Sequence, residues 1–225
     1  MANYQYHFVS RPDQMDDNID LLVDRLHQAK VKLGKLGYIA GIPRIAFSQV
    51  TDEGLPDSPI NLADFSESIE LGNHCYLEST CTPAFHSQAV KLTVVKCNQG
   101  VSGKIVIGDN VQLQGTAIIA YDRVTIGNNV VFGPMVTVMD CSGHTLTGRG
   151  QAGEVAKLKP KAVSIGDNVW IGANVMILKG VTIGDNAVIG AGSVVYESIP
   201  ANAIALGNPA KIVKHISPDY IKAAS

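Results

Sequence analysis

The sequence predicts an all-β fold in which short parallel strands coil around a shared apolar interior, and three observations predict it. Aliphatic residues recur at every sixth position: Ile165, Ile171, Ile177, Ile183, Ile189 and Val195. Glycine follows the aliphatic at 166, 172, 184 and 190, and Val169, Val175, Val181, Ala187 and Ser193 stand four places after it. Asp-Asn or Asn-Asn pairs follow the glycine at 109–110, 128–129, 167–168 and 185–186. A six-residue side holds one short extended segment and one turn. Three such sides make an 18-residue triangular coil. Equivalent positions then stack at the strand spacing of roughly 4.8 Å, and each coil buries its Ile and Val against the next. Glycine is expected to relieve the turn by accepting a positive φ. Asp and Asn are turn formers in their own right.

Composition agrees. Hydrophobic residues make up 46% of the chain and charged residues 17%, and the apolar excess lies in Val and Ile, which suits a β-rich interior. The net charge is −2 with no long run of Lys or Arg, so nothing steers the chain toward nucleic acid or an anionic membrane. No stretch approaches the ~18 apolar residues of a membrane span. The start, MANYQYHFVSR, lacks a positive segment followed by an apolar one, so no signal peptide is expected. Cys75, Cys81, Cys97 and Cys141 show no CxxC spacing and read as reduced thiols of a cytoplasmic protein.

Residues 1–60 read as a helical segment and linker. Ile19, Leu22, Val23, Leu26, Ala29 and Leu33 have helical spacing, Asp13 and Asp16 suit a start, and Gly34 and Gly37 suit a stop. One amphipathic helix over 13–35 is expected, packed on the stack or on a neighbouring subunit. Pro43, Pro56 and Pro59 mark the linker. The β-helix is expected over 61–207, with clear coil starts at 107, 126, 165 and 183. Leu113 and Ile119 continue the first of these, with one extra residue before Ile126. Stepping back by six from Ile107 gives Val101, Val95, Ala89, Pro83, Leu77 and Leu71, a poorer fit to the same frame. Val138 opens a third side and the frame then breaks. It resumes at 165 where 144 was due, which ejects a loop over 144–164, HTLTGRGQAGEVAKLKPKAVS. A loop of this length inside a regular stack is usually functional. The tail, 208–225, breaks the frame at Pro209 and Pro218 and is expected to fold over the last coil and cover its edge.

Residues 163–214, VSIGDNVWIGANVMILKGVTIGDNAVIGAGSVVYESIPANAIALGNPAKIVK, closely resemble the hexapeptide-repeat acetyltransferases. The nearest branches are the maltose and galactoside O-acetyltransferases and the acetyltransferases of surface-polysaccharide synthesis. The resemblance is specific over about 105–215. It implies a left-handed parallel β-helix, a homotrimer with active sites between subunits, acetyl-CoA as co-substrate, a sugar or saccharide acceptor, no metal, and a histidine base.

That histidine maps to His144, at the point where the loop leaves the coil in VMDCSGHTL. A base of near-neutral pKa would take the proton of an acceptor hydroxyl, and a backbone N–H would hold the developing oxyanion. Asp140 is the candidate to orient the imidazole, against a plain reading as a turn-forming Asp. Cys141 suggests an acyl-enzyme route, but the family transfers directly in a ternary complex. Trp170, the only tryptophan, maps near the acceptor or the pantetheine arm, and its plain reading is interface packing. Gln114 stands in the acceptor neighbourhood one coil before the histidine. Ala173 and Ala191 match positions beside the pantetheine arm, although small residues also suit a corner. Lys211 and Lys214, in GNPAKIVKHI, match positions that meet CoA phosphates, although either reads equally as a solvated lysine.

The chain departs from the galactoside branch. Gln112 and Gln114 replace its asparagine, and its N-terminal helical region is not recognisable in residues 1–60. The polysaccharide type, with an Asp before the base, fits MDCSGH better. Rival readings on the same scaffold are N-acetylation of an amino sugar nucleotide, a γ-carbonic-anhydrase-like metal lyase using His74, His86 and His144, and a non-catalytic scaffold. Serine acetylation would need a large helical domain that the chain lacks.

Overall fold

The computed structural model describes residues 2–56, 58–80 and 86–217. Three sheets form the faces of a prism. Sheet A runs Asn3–Ser10, Arg44–Thr51, Lys91–Cys97, Ala117–Ala120, Thr137–Met139, Met176–Ile177 and Val194–Val195. Sheet B stacks Lys32–Leu33, Ile69–Leu71, Lys104–Ile107, Arg123–Ile126, Val163–Ile165 and Thr182–Ile183. Sheet C stacks Tyr38–Ala40, Tyr76–Glu78, Gln112–Gln114, Val131–Phe132, Trp170–Ile171, Val188–Ile189, Ala203–Leu206 and Lys211–His215. From Lys32 the chain visits B, C and A in turn, so each of the six strands of sheet B opens one coil.

The repeat frame explains the interior. Ile107, Ile126, Ile165 and Ile183 stand in register on successive coils. So do Phe132, Ile171 and Ile189, and Ile118, Val138, Ile177 and Val195. All are buried in one continuous core. Each such side chain contributes about 1.5–3 kcal/mol over its exposed state.

The corner between sheets B and C is built differently from the expectation. The residues with positive φ there are asparagines on the later coils, Asn110, Asn129, Asn168, Asn186 and Asn202 at 56–58°, and His74 at 55° on the coil before them. Asn is tolerated there because its short polar side chain bonds locally. Asn110 donates to Asn129 at 3.0 Å, and Asn129 to Asn168 at 3.1 Å. The preceding side chains brace the coils as well: the amides of Asn73, Asn128 and Asp167 donate to Asp109, Asp167 and Asp185. The glycines serve close approach instead. A Cβ on Gly127 would lie 2.3 Å from Asp167 Oδ1, and one on Gly108 would lie 2.6 Å from the Gly127 carbonyl oxygen.

Several N-terminal expectations are corrected. The helix spans Ile19–Gln28, not 13–35. Asp16 and Asp17 take positive φ before it, Asn18 caps it by accepting from the Leu21 amide, and Lys30 turns left-handed after it. Its Leu22 and Leu26 pack into the stack core. Gly34 is a corner glycine, since its Cβ would meet the Gly72 backbone at 2.6 Å. The stretch expected as helix and linker therefore holds three strands of the stack: Lys32–Leu33, Tyr38–Ala40 and Arg44–Thr51.

Between Leu71 and Ile107 there is one coil, where steps of six would give two. Leu71 pairs with Ile107 and Leu77 with Leu113. Val101 is 90% exposed and Val95 lies on the outer face of sheet A, so neither serves as the inward residue of a second coil. Pro83 falls outside the described residues. One coil later, Ile118 and Ala120 point inward rather than Ile119. At both ends an antiparallel strand closes a sheet: Asn3–Ser10 against Arg44–Thr51, and Lys211–His215 against Ala203–Leu206. Pro218 lies outside the described residues. Among those described, no helix is long and apolar enough to cross a membrane.

Candidate active site

The long loop leaves sheet A after Met139 and rejoins sheet B at Val163. Its two ends meet, because the Lys161 amide donates to the Asp140 carbonyl at 2.8 Å. Asp140 is fully buried, and its carboxylate accepts from the Tyr121 and Asp122 amides at 2.8 and 2.7 Å. Burial pushes its carboxyl above the usual range, against those amides. The side chain thus holds the coil below and does not meet His144.

The partner of His144 is Glu154, ten residues on. His144 Nδ1 lies 3.1 Å from Glu154 Oε1. Glu154 also accepts from the Thr145 amide at 3.0 Å and the Gly150 amide at 2.6 Å. These donors, Gly150 first and then Thr145, hold its carboxyl at about 2 against the opposing effect of burial, with His144 adding to the depression. The ionised carboxylate facing Nδ1 makes that nitrogen the donor and leaves Nε2 as the ring nitrogen not committed to Glu154. The His144 side chain is 61% exposed, so the ring is open to solvent. Sequence reasoning missed Glu154 because it lies in a loop without periodicity. The one available signal was an acidic residue in an otherwise Gly- and Lys-rich segment.

Cys141 is buried, and burial raises its thiol above the usual range. A protonated thiol is a poor nucleophile, which disfavours the acyl-enzyme route.

Trp170 and Lys214 come together. With Val188, Ile204, His215 and Ile216 they line a groove of about 470 Å³ on the outer face of sheet C. Trp170 is 58% exposed and stands in register between Val131 and Val188. His144 does not line this groove. Ala173 and Ala191 lie one above the other at the corner between sheets C and A, where Gly133 and Gly172 leave room for them. Lys211 is turned aside, 3.3 Å from Glu197 and 5.6 Å from the Tyr196 ring centroid. Gln114 ends a strand of sheet C, opposite Glu78, and its carbonyl accepts from the Met135 amide at 3.1 Å. His74, His86 and His144 are not gathered. Among the described residues no group of three His, Cys, Asp or Glu side chains is placed to hold a metal ion.

The stacked three-faced coil defines a class of β-helical protein, and similarity to known proteins agrees. The model of the bacterial transferase hexapeptide family, six repeats, matches residues 162–197. The chain is 32% identical over 147 residues to WbbJ of Escherichia coli K12, named provisionally as a lipopolysaccharide biosynthesis O-acetyl transferase. That match covers 62% of this chain and 75% of WbbJ. A Saccharomyces cerevisiae protein provisionally named acetyltransferase YJL218W is 41% identical over 122 residues, 54% of this chain, and the match spans 60% of the yeast protein's length. The hexapeptide-repeat acetyltransferase VCA0836 of Vibrio cholerae, in complex with acetyl coenzyme A, superposes with a TM-score of 0.52. It has 21% identity and covers 93% of this chain and 85% of its own, a likeness of fold. The chain belongs to the hexapeptide-repeat transferase family.

Proposed function

We propose that the protein transfers an acetyl group from acetyl-CoA to a hydroxyl of a sugar or saccharide. The observation that carries this reading is the His144–Glu154 pair, with the carboxylate fixed in its ionised form. His144 Nε2 removes the acceptor O–H proton as the oxygen attacks the thioester carbonyl. The tetrahedral adduct collapses, the C–S bond breaks, and the imidazolium returns the proton to the departing CoA sulfur. Acetyl transfer is drawn from the names of the relatives, and the saccharide acceptor from the polysaccharide role attributed to WbbJ.

The groove of Trp170 and Lys214 is assigned to the pantetheine arm and acceptor, with Ala173 and Ala191 beside the arm and Gln114 toward the acceptor. Lys214 is the better placed cation for CoA phosphate, because Lys211 already has an anionic partner. His144 and the groove lie apart within one chain. A left-handed homotrimer, in which the loop of one subunit faces sheet C of the next, brings them together.

The test is release of CoA thiol from acetyl-CoA with a panel of sugars and nucleotide sugars. His144→Ala is expected to lower acceptor-dependent release by about 10²–10⁴-fold, and Glu154→Gln by roughly tenfold or more through a misoriented ring. Release that survives His144→Ala would overturn the base assignment and favour an amine acceptor.

A further inference from the structure

The loop that carries Glu154 is held from the far end of the chain. Its short 3-10 segment, Val155–Lys157, has no side-chain cap of its own. The two backbone donors at its start are taken by Asp52, which follows strand Arg44–Thr51 in sheet A. Asp52 accepts from the Val155 amide at 2.8 Å and the Ala156 amide at 2.9 Å. Asn98 fixes Asp52 in turn. Its side-chain amide donates to the carboxylate at 3.0 Å and its carbonyl accepts from the Asp52 backbone amide at 2.8 Å. Asp52 is buried, and Val155 packs beside it among Val50 and Val95, with Ala2, Cys97, Tyr121 and Leu158 around them.

We infer that Asp52 is a positioning residue for the base: by fixing the backbone at Val155 and Ala156, it sets where Glu154 holds His144. Glu154 is bonded directly to Val155, so its Cα cannot move unless that amide does. Asp52 touches neither His144 nor the atoms proposed to react. Burial pushes the Asp52 carboxyl up, but Asn98 and the two loop amides outweigh it and leave it below the usual range. Lys157 is a cation acting on it, and Cys97 faces it from the neighbouring strand. The anion matters because both carboxylate oxygens accept loop amides. An amide side chain would turn an N–H toward one of them and leave that donor unpaired, a cost of about 1–3 kcal/mol. Asp52, Asn98 and the Asn3–Ser10 strand beside them all lie outside the matched repeats. They give the N-terminal region a part in the site.

The catalytic half of this inference rests on the acetyl-transfer reading; the structural half does not. The experiment compares the full-length protein with Asp52→Asn, following amide hydrogen exchange at Thr145 and Gly150 alongside kcat and KM. Those two amides bind Glu154 and do not touch Asp52. The expected result is at least tenfold faster exchange at both, with kcat about tenfold lower and KM for acetyl-CoA unchanged. Unchanged exchange at Thr145 and Gly150, with only Val155, Ala156 or the melting temperature affected, would overturn the positioning role. If the wild type transfers no acetyl group, the transfer reading fails and exchange alone decides the brace. Should Asp52→Asn not fold, Asn98→Ala keeps the carboxylate while removing its anchor. It is expected to speed exchange at the same two amides, and unchanged exchange there is equally decisive against the inference.

Discussion

The coils after Val163 and the coil that begins at Ile69 share the same three sheets but obey different rules. From Ile165 to Val195 each side spends six residues, so Ile165, Ile171 and Ile177 succeed one another without interruption. In the earlier coil the same path, from Leu71 back to its register partner Ile107, takes twice as long. The longer path changes what the face outside can do. The later stretch of sheet A ends in short strands such as Met176–Ile177, while the earlier one holds Arg44–Thr51 and Lys91–Cys97. These longer strands present Val50 and Val95 on the outer face, where Val155 of the loop settles. Regularity builds the scaffold, and departure from it builds the surface on which the loop is held.

The comparison can be broken at three points. The largest effect is expected inside a regular coil: Ile171→Ala should cost about 2–5 kcal/mol, because a fully buried side chain leaves a cavity between two neighbours that cannot close. Chemical denaturation measures it, and a loss under 1 kcal/mol would mean the coils are not tightly packed. Gly127→Ala comes next, at about 1–3 kcal/mol, because its new Cβ meets Asp167 and the Gly166 backbone. A neutral outcome in the same assay would show that the corner can open. The smallest is Val101→Ser, which should fall within about 0.5 kcal/mol. A substantial loss there would restore Val101 to the core and with it a second coil between Leu71 and Ile107.

The same contrast explains what the sequence disclosed. The coils from 105 onward were legible because one constraint, an inward aliphatic every sixth residue, repeats with little else imposed on it. The corner chemistry was legible in composition but not in assignment. Asn and Gly are both tolerant of unusual backbone, and only the fold separates Asn168 at φ +56° from Gly166 packed against Asp185. The helix was overextended because Leu33 continues a helical spacing by accident while pairing as a strand with Leu71. At the loop, the place where the chain leaves the coil, just before His144, was legible from the break in the frame. The carboxylate partner of His144 was not, since Asp140 is near in sequence but spends both oxygens on the coil beneath. Glu154 and Asp52 depend on contacts across 10 and 103 residues that no local pattern encodes.

The closed neck of the loop, where the Lys161 amide reaches the Asp140 carbonyl, has a consequence for how such proteins can diverge. A segment whose two ends are pinned together at the scaffold can lengthen at a cost that rises only with the logarithm of its size, about 0.6 kcal/mol per doubling. Insertions beyond the neck therefore leave the register of the coils untouched. The scaffold can stay constant while the loop is rewritten, so the side chains it carries can change without putting the fold at risk.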